Sequence, residues 1–400
     1  MRAKNIIIIT ILITQLLIIQ VAQAEEPTIV GEAAILIDAE NGQVLYEKNA
    51  DKHMYPASTT KMLTAIVALE RSNLNDVVTV SDNAAGTPGS SIWVKEGEQL
   101  TMEDMVYALM LNSANDVGVA IAEHISGNVE QFSLTLNEKA REIGAKNTHF
   151  TNPHGLPDEE HYTTARDLAL IGRYSMQNAV FSKIVNTKTK SITRQDPDDL
   201  KYLISHNRLL WNYESTIGIK TGYTTKARQC IVAAASKDGR KLIAVVLKSQ
   251  YRNVWTDAIK LFDYGFEEFE KKLLVSKGSI IDKTPVKYSE QEVPLLAQEA
   301  IYYNFPKEYQ PQIKRKVIYQ QEAEAPLKKG IQLAEVQIYD RTKQIATTEL
   351  ITAVEVERPS NTYWWYWVVP TVFLSLVLVP VVRFVWKLKS GKIRVRRRRK

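Results

Sequence analysis

Three short clusters along the chain combine residue types that acyl-transfer chemistry needs. Ser58-Thr59-Thr60-Lys61 places a hydroxyl three residues before an amine, Ser113-Ala114-Asn115 offers a hydroxyl with a carboxamide, and Lys220-Thr221-Gly222 adds a second cation. A serine followed three residues later by a lysine is expected about once or twice by chance in a chain of 400 residues. One such match carries little weight, but three clusters in this order are a strong signal of nucleophilic catalysis.

The first cluster predicts an activated serine. The apolar pattern predicts a helix from Ser58 to Glu70, so Ser58 lies at its N-terminus and Lys61 on the same face. The helix dipole and the free backbone N–H groups there stabilise a developing negative charge. Lys61 can act as the base for Ser58 if burial or a nearby cation such as Lys220 lowers its pKa. A serine cap followed by a solvated lysine is the alternative for this cluster by itself.

The other two clusters predict groups that bind substrate and move protons. Ser113 and Asn115 lie where a helical pattern breaks, so that Ser113 can relay a proton while Asn115 holds a substrate amide. Lys220 and Thr221 follow a short apolar strand pattern and can bind a carboxylate, and Gly222 lets a substrate backbone come close. A plain interhelical turn and a strand end are the respective alternatives.

Other side chains with potential chemistry give weaker indications. Arg208 and Arg252 are further cations that can lie near the cleft, although solvated surface arginines are at least as common. Cys230 is the single cysteine, which excludes an internal disulfide, and we predict a buried structural thiol. The six histidines show no metal-ligand spacing and there is no glycine-rich phosphate loop, so we expect neither a metal nor a cofactor.

Alternating strand and helix patterns from residue 29 to 272 indicate the domain that positions these clusters. Strands are predicted at 33–38, 43–47, 217–220, 229–235 and 242–248. Asn41-Gly42 predicts a hairpin between the first two strands. Helices are predicted to begin at Ser58, Thr101, Asn115 and Thr164, and another runs through 255–262. Strands at both ends with helices between them indicate an α/β (α+β) fold, an antiparallel sheet covered by helices.

A smaller all-β domain is predicted from residue 273 to 357. Short alternating stretches indicate strands at 317–319, 334–339 and 345–356, with a hairpin turn at Asp340-Arg341. No catalytic cluster lies in this region.

The two ends of the chain predict export and membrane attachment. Residues 1–24 resemble a cleavable signal peptide, with two early cations, an apolar run and a closing Ala22-Gln23-Ala24; a retained anchor is the alternative. Residues 363–382 are 20 residues without a charge, long enough for a transmembrane helix. The tail 383–400 carries ten cations and no acid, which predicts a cytoplasmic tail and an extracytoplasmic body. Anionic lipid headgroups are the expected partners of this tail.

The distribution of charge gives no support to nucleic-acid binding. The whole chain has a net charge of +6, but its two ends hold 12 of the 51 basic residues and none of the 45 acidic ones. The exported body therefore has 39 basic against 45 acidic residues, a net charge of −6. The basic tail directly follows a predicted membrane span, which makes a nucleic-acid patch a poor interpretation.

Together the motifs resemble the low-molecular-mass penicillin-binding proteins of the serine D-alanyl-D-alanine carboxypeptidase type, over nearly the whole chain. The resemblance implies removal of the terminal D-alanine from peptidoglycan pentapeptides through an acyl-enzyme, with a part in cell-wall biogenesis and cell shape. It also implies covalent binding of β-lactams. The implied roles are Ser58 as nucleophile, Lys61 as general base, Ser113 as proton relay, Asn115 as amide-binding residue, Lys220, Thr221 and Gly222 as substrate-binding residues, and the backbone N–H groups of Ser58 and Tyr223 as oxyanion hole. Asn152-Pro153-His154-Gly155-Leu156 also resembles a stretch of these enzymes and is interpreted as structural support.

The chain departs from the family pattern in two places. Ala114 stands where these enzymes often have glycine, and a membrane span is predicted where they more commonly have an amphipathic surface helix. A β-lactamase is an alternative, but no clear glutamate and asparagine pair for deacylation follows the second cluster. A DD-endopeptidase needs the same groups and stays open. A non-catalytic wall-binding protein would have decayed motifs, and all three are intact.

Overall fold

The computed structural model describes residues 26–358 and 364–390, which divide into two compact units. The first unit ends at Lys271 and also includes Asn304–Tyr309. The second consists of Lys272–Tyr303 and the chain from Gln310 onward. The domain limits 29–272 and 273–357 stay predictions, and the sequence pattern gave no sign that Asn304–Tyr309 groups with the first unit.

The described strands are numbered in chain order. Up to Val275 they are β1 (Ala33–Asp38), β2 (Val44–Lys48), β3 (Val77–Thr79), β4 (Gln99–Thr101), β5 (Thr189–Ser191), β6 (Tyr202–Ile204), β7 (Thr216–Thr224), β8 (Arg228–Lys237), β9 (Arg240–Ser249) and β10 (Phe269–Val275). The later strands are β11 (Ile280–Pro285), β12 (Glu292–Ala297), β13 (Ile301–Pro306), β14 (Ile313–Tyr319), β15 (Gln332–Asp340) and β16 (Lys343–Thr352).

The described helices are numbered in the same way. They are α1 (Lys61–Arg71), α2 (Asp82–Ala85), α3 (Met102–Leu111), α4 (Asn115–Ser126), α5 (Val129–Ile143), α6 (Ala165–Gln177), α7 (Ala179–Val185), α8 (Leu209–Asn212), α9 (Asn253–Glu267) and α10 (Trp364–Lys389). A 3₁₀ turn, Ala57–Thr60, directly precedes α1.

The main sheet of the first unit is antiparallel, with the strand order β2-β1-β9-β8-β7. Strand β7 is therefore an edge strand. The tight turn between β8 and β9 is formed by Asp238 and Gly239, both with positive φ. The predicted antiparallel sheet is confirmed, and its edge strand carries the third cluster.

Helices cover both faces of this sheet. Alternate strand residues such as Ile35 and Val245 belong to a core shared with α1, α3, α4 and α6, whereas Leu36 and Ala244 belong to a core shared with α9. Because both faces are buried, β1 is a continuous apolar run and not an alternating one. The prediction that helices cover the sheet is confirmed.

Side-chain caps fix where two of the predicted helices begin. The Thr101 hydroxyl accepts a hydrogen bond from the Asp104 N–H at 3.2 Å, and the Thr164 hydroxyl accepts one from the Asp167 N–H at 3.0 Å. These bonds satisfy N–H groups that have no partner within the helix. Helix α4 ends at Ser126, and the next residue, Gly127, has a φ of 82°, the left-handed conformation that is common just after a helix.

The second unit contains a five-stranded antiparallel sheet in the order β11-β12-β16-β15-β14. Its core is formed by residues such as Val293, Leu295, Val336 and Leu350. The predicted turn after Asp340 joins β15 to β16, so the predicted small β domain is confirmed.

One helix of the described chain, α10, is long and apolar enough to cross a membrane. Its described residues run from Trp364 to Lys389, beyond the predicted end at Val382. Pro370 and Pro380 lie within it. The predicted signal peptide and the tail after Ser390 lie outside the described residues.

Candidate active site

Ser58 lies in the 3₁₀ turn that leads into α1, so the α-helix begins three residues later than predicted. Ala57, just before it, has a φ of 49°, which turns the chain sharply into the helix. Tight 3₁₀ turns are common at helix N-termini. The turn keeps Ser58 at the positive end of α1 and presents its hydroxyl to Lys61.

Lys61 is fully buried, and its amine has three hydrogen-bond partners. Nζ lies 2.9 Å from Ser58 Oγ, 2.6 Å from Asn115 Oδ1 and 2.7 Å from the carbonyl oxygen of His154. A carbonyl oxygen can only accept a hydrogen bond, so two N–H groups of Lys61 are committed to Asn115 and His154. The remaining position on nitrogen faces Ser58. A neutral amine in this arrangement directs its lone pair at the Ser58 hydroxyl.

Burial is the main reason why the neutral form of Lys61 is accessible. It holds the pKa of the Lys61 amine well below its ordinary value, and the positive charge of Lys220 lowers it further. The carboxylate of Asp116 acts in the opposite direction with a smaller effect. Burial also lowers the pKa of Lys220, to about 7. The condition set from the sequence for Lys61 as a base, a lowered pKa with Lys220 nearby, is met.

Gly222 brings the edge strand β7 against the Ser58 turn. A Cβ on this residue would lie 2.7 Å from the Ser58 nitrogen and 3.0 Å from the Ala57 Cβ. The sequence predicted that Gly222 would admit a substrate backbone, whereas here the closest backbone is that of Ser58 itself. Lys220, on the same strand, is 1% exposed and donates a hydrogen bond to the Thr221 carbonyl at 3.0 Å. Clusters one and three therefore meet directly.

Asn115 connects the second cluster to the first. Its Oδ1 accepts the bond from Lys61, and its Nδ2 donates to the carbonyl of Pro88 at 2.7 Å. The Asn115 N–H also donates to the carbonyl of Ser90 at 2.7 Å, which fixes the start of α4. Ser113 is buried in the break between α3 and α4, with a φ of 62°, and is not one of the three partners of Lys61.

The stretch from Asn152 to Leu156 supports the site more directly than the sequence indicated. The His154 carbonyl holds Lys61, and the Pro153 carbonyl accepts a bond from the Thr64 hydroxyl at 2.6 Å. Gly155 has a φ of +88°, and a Cβ there would lie 1.8 Å from the carbonyl oxygen of Ala57. Every residue type has a backbone carbonyl, so the sequence could not indicate that this one binds Lys61, and the sequence analysis missed it.

A buried histidine holds the first turn in place. His161 accepts a hydrogen bond at Nδ1 from the Thr151 N–H, so its Nε2 carries the proton and donates to the Thr60 hydroxyl at 2.9 Å. Burial lowers the pKa of His161 to about 3, and likewise that of His154. Both rings are therefore neutral near pH 7 and act on the site by packing and hydrogen bonding.

The secondary candidates lie apart from these contacts. Arg208 and Arg252 are exposed and flank the starts of α8 and α9. Cys230 is buried, and burial raises the pKa of its thiol to about 12, which suits a structural residue. Among the residues that the structure describes, no cluster of histidine, cysteine and carboxylate groups could hold a metal ion.

Comparison with known proteins assigns a family to this arrangement. The family model described as D-alanyl-D-alanine carboxypeptidase, peptidase S11, matches residues 20–250, which include all three clusters. The chain belongs to this carboxypeptidase family. The model for the C-terminal domain of penicillin-binding protein 5 matches residues 269–358.

Individual relatives of the S11 family match over most of their length. The chain is 34% identical to the D-alanyl-D-alanine carboxypeptidase DacF of Bacillus subtilis, over 76% of this chain and 80% of that protein. It is 33% identical to DacA of Haemophilus influenzae, over 86% of this chain and 90% of that protein. The crystal structure of penicillin-binding protein 5 from Haemophilus influenzae superposes with a TM-score of 0.74 and 30% identity, covering 84% of this chain and all of that one.

Proposed function

We propose that this chain is a serine carboxypeptidase that removes the terminal D-alanine from peptidoglycan pentapeptides, with Ser58 as the nucleophile. The observation that carries the proposal is the buried amine of Lys61, 2.9 Å from Ser58 Oγ and held by two groups that can only accept hydrogen bonds. Such an amine is oriented to take the proton of Ser58. A solvated lysine beside a helix cap would have none of these constraints.

Acylation begins when neutral Lys61 takes the hydroxyl proton and Ser58 Oγ attacks the carbonyl carbon between the two D-alanines. The negative charge on the carbonyl oxygen is stabilised by the backbone N–H groups of Ser58 and Tyr223. The close approach of Gly222 to the Ser58 nitrogen supports this pairing, because Tyr223 is the next residue on the strand. The carbon–nitrogen bond then breaks, and the departing amine takes a proton from Lys61 through Ser113.

Substrate is held at its two ends by the remaining cluster residues. Lys220 and Thr221 bind the terminal carboxylate, for which a charge-assisted hydrogen bond from a buried ammonium is well suited. Asn115 binds the amide of the penultimate residue with the second lone pair of Oδ1 and the second proton of Nδ2. Water then attacks the ester, with Lys61 again as base, which frees Ser58 and the shortened peptide.

β-Lactams follow the first half of this path. Ser58 opens the lactam ring and forms an ester, and the amine formed on ring opening remains part of the same molecule and does not diffuse away. We propose no metal or cofactor for either reaction, because each step uses a group of the chain.

Helix α10 is proposed as the membrane anchor, with the catalytic unit outside the cytoplasmic membrane. Its length and apolar composition support the anchor, and the ten cations from Arg383 to the C-terminus support a cytoplasmic tail that contacts anionic lipids. Protease added to intact spheroplasts tests the orientation: digestion of the body with protection of the tail is expected, and the reverse would contradict it.

The enzymatic proposal is tested on the full-length protein in detergent. Intact mass measurement after exposure to penicillin, with peptide mapping, is expected to give one adduct on Ser58, and the protein is expected to release D-alanine from a diacyl-lysyl-D-Ala-D-Ala peptide. Ser58→Ala is expected to abolish both while its thermal unfolding stays unchanged. An adduct elsewhere, or an active Ser58→Ala variant, would refute the proposal.

A further inference from the structure

Two cavities lie next to each other in the second unit. The first has a volume of about 740 Å³ and is lined by residues 284–287 and 319–323. The second has a volume of about 370 Å³ and is lined mostly by residues on or beside β12, β15 and β16. Gln320 lines both cavities, so they are continuous past its side chain, and we call them together the Gln320 groove. Each volume falls in the range of roughly 300–1,000 Å³ that is typical of ligand sites.

The first cavity lies between the two outer strands of the sheet, β11 and β14, which are not paired with each other. The Tyr319 hydroxyl, at the end of β14, donates to Asp282 on β11 at 2.8 Å. Just beyond the two strands, the Lys287 N–H donates to the Ala323 carbonyl at 2.8 Å. The sheet therefore curls until its edges meet at these two points. The slot between the edges is held open by the fold, and a ligand that enters it need not order it.

The wall of the groove presents amide groups with free hydrogen-bonding capacity. The Gln332 side chain donates to Gln320 Oε1 at 3.2 Å, and the Gln321 side chain donates to the Gln332 carbonyl at 2.6 Å. The N–H groups of Gln320 Nε2 have no partner among the described residues. An amide side chain has two N–H donors and an oxygen with two lone pairs. Gln320 can therefore donate and accept at once, as pairing with an acetamide group requires.

Apolar surface lies beside these amides. Val286 and Ala323, which are 2% and 4% exposed, line the first cavity, and so does Tyr319, which is 47% exposed. Tyrosine combines a large apolar ring with a polar hydroxyl, and the hydroxyl of Tyr319 is already bonded to Asp282. The ring remains available to a ligand. The first cavity therefore suits a ligand that has an apolar ring face and a small apolar group beside its polar atoms.

Two carboxylates stand directly opposite each other in the second cavity. Glu335 on β15 pairs with Glu349 on β16, and like charges in such a pair destabilise a sheet. The Gln337 side chain donates to Glu335 at 2.6 Å, but neither glutamate forms an ion pair within the described part of the chain. The sheet thus keeps two strong acceptors at a cost in stability. Such a cost is typical of residues that are retained for binding or activity.

The charges that line the groove distinguish between possible ligands. One cation, Lys287, stands against four carboxylates, which gives a net charge of −3. The four carboxylates are those of Glu299, Glu322, Glu335 and Glu349. This charge disfavours anionic lipid headgroups and stem peptides, which carry carboxylates. Sugar hydroxyls, in contrast, can donate charge-assisted hydrogen bonds to carboxylates. Acetamide groups, ring faces and hydroxyls occur together in an N-acetylated glycan, the polymer to which the stem peptides are attached.

We infer that the Gln320 groove is a non-catalytic binding site for the N-acetylated glycan strand of peptidoglycan. An acetamide group pairs with Gln320, and a sugar ring stacks on Tyr319. The hydroxyls of the next sugar donate to Glu335 and Glu349. The choice of this polymer rests on the proposed function, whereas the binding itself uses none of the groups around Ser58.

The probe is the linear hexamer of N-acetylglucosamine, which has the acetamide groups and ring faces of the glycan but no peptide. Its binding to the full-length protein in detergent is measured by isothermal titration calorimetry. Two hexamers serve for comparison: that of glucose, which lacks the acetamide, and that of glucosamine, which has a cationic amine in its place. We expect the acetylated hexamer to bind about tenfold more tightly than the glucose hexamer, as the loss of two hydrogen bonds implies, and more tightly than the glucosamine hexamer.

Two variants test the residues of the groove. Gln320→Ala removes the acetamide partner from an exposed position and should weaken binding of the acetylated hexamer about fivefold to tenfold. Glu349→Gln removes both a charged acceptor and the repulsion from Glu335. It should weaken binding about fivefold, while the midpoint of urea unfolding stays the same or rises. A residue with only a structural role would not give this combination.

Gln312→Ala is the matched control for Gln320→Ala. Gln312 is an exposed glutamine just before β14, whereas Gln320 directly follows that strand, and Gln312 lines neither cavity. We expect Gln312→Ala to bind the acetylated hexamer as the unaltered protein does. All three variants should be acylated by penicillin at the unaltered rate, because the groove lies in the second unit and Ser58 in the first.

The outcomes separate this inference from the proposed function. An acetylated hexamer that fails to bind, or that binds unchanged to Gln320→Ala and Glu349→Gln, would overturn the inference while penicillin still acylates Ser58. Equal binding of the glucose hexamer would overturn it as well, and tighter binding of the glucosamine hexamer would show a groove for cations instead. Failure of the unaltered protein to react with penicillin, with sugar binding intact, would overturn the proposed function and leave the glycan site standing.

Discussion

Gly222→Ala probes the contact between the edge strand and the Ser58 turn. The added Cβ would lie 2.7 Å from the Ser58 nitrogen, whereas ordinary contacts begin near 3.4 Å, so the turn or the strand must move by about 0.7 Å. Displacements near 1 Å in a catalytic arrangement cost on the order of 100-fold in rate. We therefore expect acylation by penicillin to slow about 10- to 100-fold, equivalent to about 1.5–3 kcal/mol in the activation free energy.

The assay for Gly222→Ala is the second-order rate constant of acylation by a fluorescent penicillin, measured beside the midpoint of urea unfolding. Gly86→Ala is the matched control, because Gly86 has a negative φ and its added Cβ would meet nothing closer than 3.4 Å. Slow acylation together with a lowered midpoint is expected for Gly222→Ala, because the same strain acts on the fold, and neither change is expected for Gly86→Ala. Acylation of Gly222→Ala at the wild-type rate would refute the claim that this contact sets the position of Ser58.

Three other substitutions test separate parts of the structure. Lys220→Ala removes a charge that lowers the pKa of Lys61, so the rise of acylation with pH, which follows the neutral amine, should move to higher pH in a pH–rate profile. Glu98→Ala removes the nearer of two carboxylates beside the buried guanidinium of Arg194, at 2.7 Å, and leaves Asp199 at 3.6 Å, so it should lower the free energy of unfolding by about 1–3 kcal/mol in urea. Gly155→Ala places a Cβ 1.8 Å from a backbone oxygen and should slow penicillin acylation at least about 100-fold.

Each of these predictions has an outcome that contradicts it. An acid limb that stays in place or moves to lower pH in Lys220→Ala would show that Lys220 does not act on Lys61. If Glu98→Ala lowers the free energy of unfolding by less than about 1 kcal/mol, the Glu98–Arg194 ion pair contributes no more than an exposed, solvent-screened pair. Acylation of Gly155→Ala at the wild-type rate would mean that the Ser58 turn can move away from the added Cβ without any loss of reactivity, which contradicts the prediction.

Features set by neighbouring residues were predictable from the sequence. The caps at Thr101 and Thr164 and the tight turn at Asp238-Gly239 follow from local residue types and period. Helix α5 was not predicted, although Asn128 caps it and its apolar residues Phe132 and Leu136 are buried. The sequence pattern did not predict that Lys61 is buried. Burial was expected only on the condition that Lys61 acts as a base, because a base needs a lowered pKa.

Features set by distant parts of the chain were not predictable. The His154 carbonyl meets Lys61 across 93 positions, and the Pro88 carbonyl meets Asn115 across 27, and any residue type can supply a carbonyl. Asn304 joins the first unit because its side chain donates to Asp38 at 2.9 Å, 266 positions away.

The protonation state of Lys61 is the direct test of the mechanism. The full-length protein labelled with ¹³C at lysine Cε can be titrated by NMR, with the Lys61 signal assigned by its loss in Lys61→Arg. We expect this signal to titrate well below the ordinary lysine pKa of 10.5, and to move towards that value in Lys220→Ala. A Lys61 amine that keeps its proton up to pH 10 or higher could not take the proton of Ser58, and the mechanism would be wrong.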